Sequence, residues 1–152
     1  MTDATPPDPT AIRIERTFTA PVRAVFDAWT SAEVLRRWWS AGADWETPVA
    51  EVDVRVGGRL RLVMRSPNGD EFGGSGEFTE ITAPERLAFT WRWDGHEGHE
   101  GTQLVEVEFS ERDDGTTTVV LTNRGLTDDE SKRSHAEGWE ASFDNLERVL
   151  AE

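Results

Sequence analysis

A long stretch of alternating apolar and polar residues, followed by one amphipathic segment, limits this chain to few compact folds. Over residues 48–123 apolar side chains recur at every second position, and turns such as Gly57-Gly58 and Asn68-Gly69 separate the runs. This pattern is typical of antiparallel strands joined by hairpins, with one face covered. The predicted strands span residues 49–54, 59–65, 74–81, 86–93, 102–112 and 116–123. Such a sheet has to bury its apolar face against another element.

The N-terminal part predicts one further strand and a helical hairpin. Residues 12–18 alternate in the same way, but Arg16 falls on the apolar face and needs a partner or an edge position. Pro21 suits the first position of a helix, and Ser31 is the predicted N-cap of a second helix. The apolar stripes of these two helices are Val22, Val25, Phe26 and Trp29, and then Val34, Leu35 and Trp38.

The C-terminal segment predicts the helix that covers the sheet. Residues 127–130 match a capping box, and their acidic side chains are favourable beside the helix N-terminus. An apolar stripe of Trp139, Phe143, Leu146 and Leu150 follows, and the helix spans about 24 residues, or roughly 36 Å. Residues 131–136 carry almost no large apolar side chain, and Gly138 costs about 1 kcal/mol relative to Ala. Because the first half of this helix lacks large apolar side chains, we expect unfilled space beneath it.

Length and tryptophan content fit one α+β domain with a wide interior. A chain of 152 residues is the usual size of one domain with one core. Residues 1–10 contain three prolines and no apolar run, so they are predicted to be a disordered tail before a domain at 11–152. Seven tryptophans and no tyrosine supply large rings of the kind that fill or line the concave side of a curved sheet.

Charge and cysteine content exclude several classes of function. The formal net charge of −14 and the absence of a basic patch argue against nucleic acid and membrane surfaces as partners. The chain has no cysteine, which removes disulfides, thiolate nucleophiles and cysteine-based zinc sites. Since neither a signal peptide nor a membrane anchor is visible, we expect a cytoplasmic location.

Several motifs, in order along residues 12–150, give the chain a resemblance to a known family. They are Ala20-Pro21 to Ala28-Trp29-Thr30, the Trp38-Trp39 pair, residues 53–58, Met64, Pro84-Glu85-Arg86-Leu87 before Thr90-Trp91, Gly115-Thr116, and Gly138-Trp139 ahead of Leu146. On these residues the chain resembles the activator of heat-shock protein ATPase homologue-like family, within the START and birch-pollen-allergen superfamily called SRPBCC. The resemblance implies a helix-grip, START-like fold, in which a curved antiparallel sheet of about seven strands wraps around a long C-terminal helix. Two short helices follow the first strand.

The resemblance also implies a deep cavity between the sheet and the long helix. Across the superfamily this cavity holds lipids, hormones, polyketides and other apolar molecules, and members include binders, cyclases and a stress-response co-chaperone domain. In the family the tryptophan pair is usually followed by Gly-Pro, whereas this chain has Ser40-Ala41-Gly42-Ala43, so a different lip to the pocket is expected. The co-chaperone also carries a separate N-terminal domain, for which this chain has no room, so that role is not expected.

The predicted cavity residues are mostly aromatic. They are Trp38, Trp39, Met64, Phe78, Trp91, Trp93, His135, Trp139 and Phe143. Close packing is the competing interpretation, because aromatic stripes more often belong to a core than to a ligand site. His135 lies one turn before Trp139, so it is either a proton donor at the cavity mouth or an exposed histidine.

Other polar residues are assigned no chemistry. The histidines of residues 96–100 (His-Glu-Gly-His-Glu) are three positions apart in a Gly-rich stretch, which favours a solvated hairpin tip over a metal site. Glu80, Arg61 and Arg92 are either polar anchors for a ligand or members of surface ion pairs, and we favour ion pairs. We therefore expect no catalytic residue, metal or cofactor.

The leading expectation is a small-molecule binding protein, monomeric or homodimeric, with a cavity for a hydrophobic or aromatic ligand. One alternative is a polyketide cyclase- or hydrolase-like enzyme that uses the same cavity, with His135 or Glu80 moving a proton. Another alternative is a co-chaperone-like module that uses the outer sheet face or the acidic surface.

Overall fold

The computed structural model describes residues 8–95 and 101–152, which form seven strands and three helices. In chain order the elements are β1 (Ile12–Phe18), α1 (Val22–Thr30), α2 (Ala32–Trp38), β2 (Glu46–Val52), β3 (Arg59–Arg65), β4 (Glu71–Thr82), β5 (Arg86–Trp93), β6 (Gln103–Glu111), β7 (Thr117–Arg124) and α3 (Asp129–Leu150). The strands form one antiparallel sheet in the order β1-β7-β6-β5-β4-β3-β2. The predicted helix-grip fold is confirmed.

Two strands begin three residues earlier than predicted, β2 at Glu46 rather than at residue 49 and β4 at Glu71 rather than at residue 74. The glycines of this segment resemble a turn in the sequence, but they lie inside the strand. A Cβ atom at Gly76 would lie 1.7 Å from the carbonyl oxygen of Thr90 on β5. Glycine is therefore required there by the close approach of two backbones.

Two helix starts also differ by one residue from the prediction. Pro21 occupies the N-cap of α1 rather than its first turn. The N-cap of α3 is Asp128 and not Thr127, because the Asp128 carboxylate accepts a hydrogen bond from the Ser131 backbone N–H at 2.6 Å. The predicted cap of α2 is confirmed, since the Ser31 hydroxyl accepts from the Val34 N–H at 3.3 Å.

The main core lies between the C-terminal half of α3 and the sheet. Phe143 and Leu146 of α3 are fully buried, together with Phe18 on β1 and Leu121 on β7. The Phe18 and Phe143 rings meet edge to face, with their centroids 5.6 Å apart. This packing fixes α3 across the sheet. The N-terminal half of α3, which carries small side chains, takes no part in it and lies over a separate space.

Arg16 combines an edge position with charged partners. It lies on β1 at the edge of the sheet and donates to Asp144 and Glu140 of α3, each at 2.7 Å. Its guanidinium also lies 5.8 Å from the centroid of the Phe143 ring. Desolvation lowers the pKa of Arg16, but the hydrogen bonds to these carboxylates outweigh it and raise the pKa above its ordinary value.

Most of the predicted N-terminal tail, residues 1–10, falls outside the described residues, so its disorder stays a prediction. At its inner end the Leu126 N–H donates to the Thr10 carbonyl at 2.8 Å, and Arg124 donates to the Asp8 carboxylate at 3.1 Å. Within the described ranges no helix has the length and apolar content that crossing a bilayer requires.

Candidate ligand-binding cavity

A cavity of about 360 Å³ lies between the N-terminal half of α3 and the sheet. Strands β3 to β7 form its floor, through residues such as Met64, Phe89 and Val105. Its lip is the segment that follows α2, from Trp39 to Trp45. The concave side of the sheet is therefore filled by core packing at one end of α3 and is open at the other.

Small residues on α3 form the roof of the cavity. Ser134, Gly138 and Ser142 recur at every fourth position, so they share one face of the helix. A Cβ atom built at Gly138 would meet no atom within 4 Å outside its own helix backbone and neighbouring residues. The space below the helix thus reaches up to its backbone at this position.

Five of the seven tryptophans line the cavity. The centroids of Trp39, Trp91 and Trp93 lie 5.3 to 6.3 Å apart, so these rings form one continuous aromatic wall. Trp139 lies on α3, and Trp45 lies at the mouth, 5.9 Å from the ring of Phe72. Phe72 is 39% exposed, which marks the side on which the cavity opens to solvent.

Gly74 on β4 is required by the position of Trp91. A Cβ atom at Gly74 would lie 2.6 Å from the Trp91 indole ring and 2.6 Å from the Arg92 carbonyl oxygen. Any side chain at this position would displace the indole or separate β4 from β5. The missing side chain on one strand thus creates the place for the large ring on the next.

A buried chain of hydrogen bonds runs along the polar side of the wall. The Trp139 indole N–H donates to the Asn123 side-chain oxygen at 3.0 Å, and the Asn123 amide donates to the Gln103 side-chain oxygen at 3.0 Å. Gln103 and Asn123 are only 2% and 1% exposed, so these bonds satisfy groups that water does not reach.

His135 ends this chain and uses both of its ring nitrogens. Nδ1 lies 2.7 Å from the Ser131 carbonyl oxygen, which can only accept, so Nδ1 carries the proton. Nε2 is then the acceptor, and it receives the Trp93 indole N–H at 3.1 Å and faces the Gln103 amide nitrogen at 3.4 Å. His135 therefore holds Trp93 in the wall.

The lip is attached to α3 by two buried polar side chains. The Ser142 hydroxyl donates to the Ser40 carbonyl at 2.6 Å. The Asn145 amide nitrogen lies 3.0 Å from the Ser40 hydroxyl and 3.2 Å from the carbonyl oxygens of Trp38 and Gly42. These contacts satisfy carbonyls at and beyond the end of α2 and hold the lip segment over the cavity.

Six of the nine predicted cavity residues line the cavity, namely Trp39, Met64, Trp91, Trp93, His135 and Trp139. The other three belong to the packed core. Trp38 donates to the Ala28 carbonyl at 2.9 Å and packs on Trp29, Phe78 packs on Phe89, and Phe143 packs on Phe18. Whether the six contact a ligand stays a prediction.

The sequence reasoning missed Trp45, Phe72, Gln103 and Asn123. Gln103 and Asn123 left a signal, because each continues the inward-facing phase of its strand as a polar residue among buried apolar ones. Trp45 precedes β2 in a stretch with no periodicity, so no pattern indicated its direction.

The remaining polar candidates lie away from the cavity lining. Arg61 pairs with Asp94 at 2.8 Å in an exposed ion pair, and Glu80 pairs with Arg86 at 2.8 Å in a half-buried one. Arg92 is exposed. The histidines of residues 96–100 lie outside the described residues. Across 8–95 and 101–152, no group of three or more histidine or acidic side chains is placed to hold a metal ion.

Comparison with known proteins identifies the family. The family model described as Activator of Hsp90 ATPase homolog 1-like protein matches residues 19–151. The solution structure of an AHSA1-like protein from Aeromonas hydrophila is 32% identical, with 93% of this chain and 92% of that chain covered and a TM-score of 0.77. The AHSA1 protein from Silicibacter pomeroyi is 27% identical, with 93% and 97% covered and a TM-score of 0.78.

A protein from Chromobacterium violaceum shares the fold with a TM-score of 0.84, at 24% identity and with 93% of this chain and 97% of that chain covered. A search of curated proteins gave no match. The family model spans most of the chain. The chain belongs to the Activator of Hsp90 ATPase homolog 1-like family of the SRPBCC superfamily.

Proposed function

We propose that the protein binds a hydrophobic or aromatic small molecule in the cavity beneath α3. The observation that carries this proposal is the open space of about 360 Å³ between α3 and the sheet, with aromatic walls and the helix backbone of Gly138 above it. Small-molecule pockets commonly measure about 300–1,000 Å³ and are lined mainly by apolar and aromatic side chains.

The hydrogen-bonding pattern supports an apolar ligand. The indole N–H groups of Trp93 and Trp139 are used within the wall, and so are both ring nitrogens of His135. A ligand therefore meets ring surfaces and aliphatic atoms over most of its area. Burial of apolar surface is the driving force that such a wall offers, at about 25 cal/mol per Å² before the cost of ordering.

The proposed ligand contacts are the six predicted residues that line the cavity. Trp39 lies at the lip, Met64 lies in the floor, Trp91 and Trp93 form the wall, and His135 and Trp139 lie on α3. We assign Trp38, Phe78 and Phe143 a supporting role, since each packs behind the lining.

The test is a pair of leucine variants on neighbouring residues of α3. Gly138→Leu fills the roof of the cavity, whereas Glu137→Leu adds the same side chain to an exposed position. The wild-type protein and both variants are titrated with lipids, flavonoids and polyketide-like aromatics, and binding is followed by tryptophan fluorescence and by native mass spectrometry.

We expect saturable binding to the wild type and to Glu137→Leu, and at least a 10-fold loss of affinity in Gly138→Leu, because the added side chain occupies the ligand volume. Equal binding by both variants contradicts the proposal. So does the absence of binding by any compound to the folded wild type, which turns attention to the co-chaperone-like alternative.

The cyclase- or hydrolase-like alternative needs a polar group that moves a proton inside the cavity, and His135 is the lining residue with that chemistry. Since Ser131, Trp93 and Gln103 engage its two nitrogens, we rank binding above catalysis. Glu80, the other residue considered for this role, lies outside the cavity in an ion pair with Arg86.

A further inference from the structure

We propose that the cavity selects an organic cation, such as an apolar quaternary ammonium compound, and this inference rests on the proposed ligand-binding function. Three features of the molecule carry it: the chemistry of the lining, the direction of its N–H groups and the charge of the whole chain.

The described lining contains no Asp, Glu, Lys or Arg side chain. A ligand carboxylate or phosphate would leave water without gaining a cationic partner, which is a severe penalty for a buried anion. Two of the five indole N–H groups in the lining are already committed, because Trp93 donates to His135 and Trp139 donates to Asn123. The binding of an anion in this cavity is therefore unfavourable.

The same lining is favourable for a cation. Tryptophan presents the most strongly attracting ring face to a cation placed within about 6 Å of its centroid, and five tryptophans surround this space. Trp39, Trp91 and Trp93 are close enough together for one bound group to contact more than one ring. A quaternary ammonium group spreads its charge over methyl groups, so it keeps the apolar contact that the wall requires.

The charge of the whole chain acts in the same direction. The formal net charge is −14, and a low-dielectric cleft in an acidic protein concentrates cations and repels anions. The long-range electrostatic potential of the chain therefore favours cations over anions, although the described lining contains no carboxylate. Contact with the rings then adds attraction at short range.

The experiment compares three probes of similar shape: benzyltrimethylammonium, its uncharged isostere neopentylbenzene, and phenylacetate. Affinities are measured by isothermal titration calorimetry and native mass spectrometry, so that loss of a tryptophan does not remove the signal. The variants are Trp91→Leu in the wall, Trp45→Leu at the half-exposed mouth, and Gly138→Leu, which fills the cavity.

We expect the cation to bind about 10-fold or more tightly than the isostere, phenylacetate not to bind, and a tryptophan variant to lose most of the preference. Trp45→Leu serves as the second variant if Trp91→Leu fails to fold. Cation binding that persists unchanged in Gly138→Leu is binding to the acidic surface, and it overturns the inference.

The outcomes also separate this inference from the proposed function. If the isostere binds as tightly as the cation, and Gly138→Leu abolishes that binding, the cation inference is overturned while the cavity remains a ligand site. The same holds if phenylacetate binds best. If none of the three probes binds to the folded protein, both proposals are contradicted for ligands of this size.

Discussion

The substitution Gly138→Ala tests directly whether the space beneath α3 is open in solution. Gly138 lies in the interior of a 22-residue helix, where glycine costs about 1 kcal/mol relative to alanine. The added methyl group would meet no atom within 4 Å, so no steric term opposes this gain. We therefore expect an increase of about 1 kcal/mol in the free energy of unfolding, which corresponds to about 2–4 °C in Tm for a chain of this size.

Gly115→Ala is the matched control for this substitution. Gly115 also has open space around its Cβ position, but its φ of +85° is a left-handed conformation that alanine disfavours. The same chemical change is expected to lower stability there by about 1 kcal/mol. The two variants thus differ in backbone conformation and not in available room.

The assay is thermal unfolding followed by circular dichroism at 222 nm, with urea unfolding at 25 °C as a second measure. A decrease in the stability of Gly138→Ala, with the expected decrease in Gly115→Ala, would refute the reasoning. It would mean that the sheet and α3 lie closer together in solution than the cavity requires.

Three further predictions concern the lip, the wall and the N-terminal contact. Asn145→Ala should lower the free energy of unfolding by about 1–3 kcal/mol in a urea titration, because buried carbonyls of the lip lose their donor; an unchanged midpoint would show that water replaces the amide. Gly74→Ala should shift the near-ultraviolet circular dichroism of the tryptophans, since a Cβ atom there overlaps the Trp91 ring, and an identical spectrum would contradict that contact. Hydrogen bonds from Thr10, and secondarily the contact with Arg124, hold the pKa of Asp8 below its ordinary value of 3.8. The stabilising effect of this depressed pKa should be present above pH 3.8 and disappear as the pH falls through the lower folded-state value, which a carboxyl NMR titration can follow.

The alternation of residues 48–123 was enough to predict the sheet, because one buried face imposes its period on every strand. Three strands, β1, β3 and β5, begin and end where the pattern placed them. The start of β4 was misplaced because glycine has the same sequence signature in a turn and at a close approach of two strands. Only the pairing of residues 71–73 with β3 distinguishes the two.

The cavity residues were harder to predict than the fold. Periodicity tells which face of an element is covered, but it does not tell whether the neighbour is a side chain or empty space. Trp38 and Trp39 are adjacent in the sequence, yet one packs on Trp29 in the core and the other lines the cavity. That difference arises because α2 ends between them, where Asn145 of α3 and Thr47 of β2 donate to the Trp38 and Trp39 carbonyls.

The pairing of β1 with β7 has a consequence for the order in which the chain can fold. Ile12 pairs with Asn123 and Phe18 with Thr117, so the first strand finds its partner about 100 residues later in the chain. At about 5–20 residues per second of synthesis, β1 waits at least several seconds on the ribosome before that partner exists. The Arg16 contacts come later still, since Glu140 and Asp144 lie beyond β7. The hairpins that precede β7 can assemble during this interval, before β1 has a partner with which to pair.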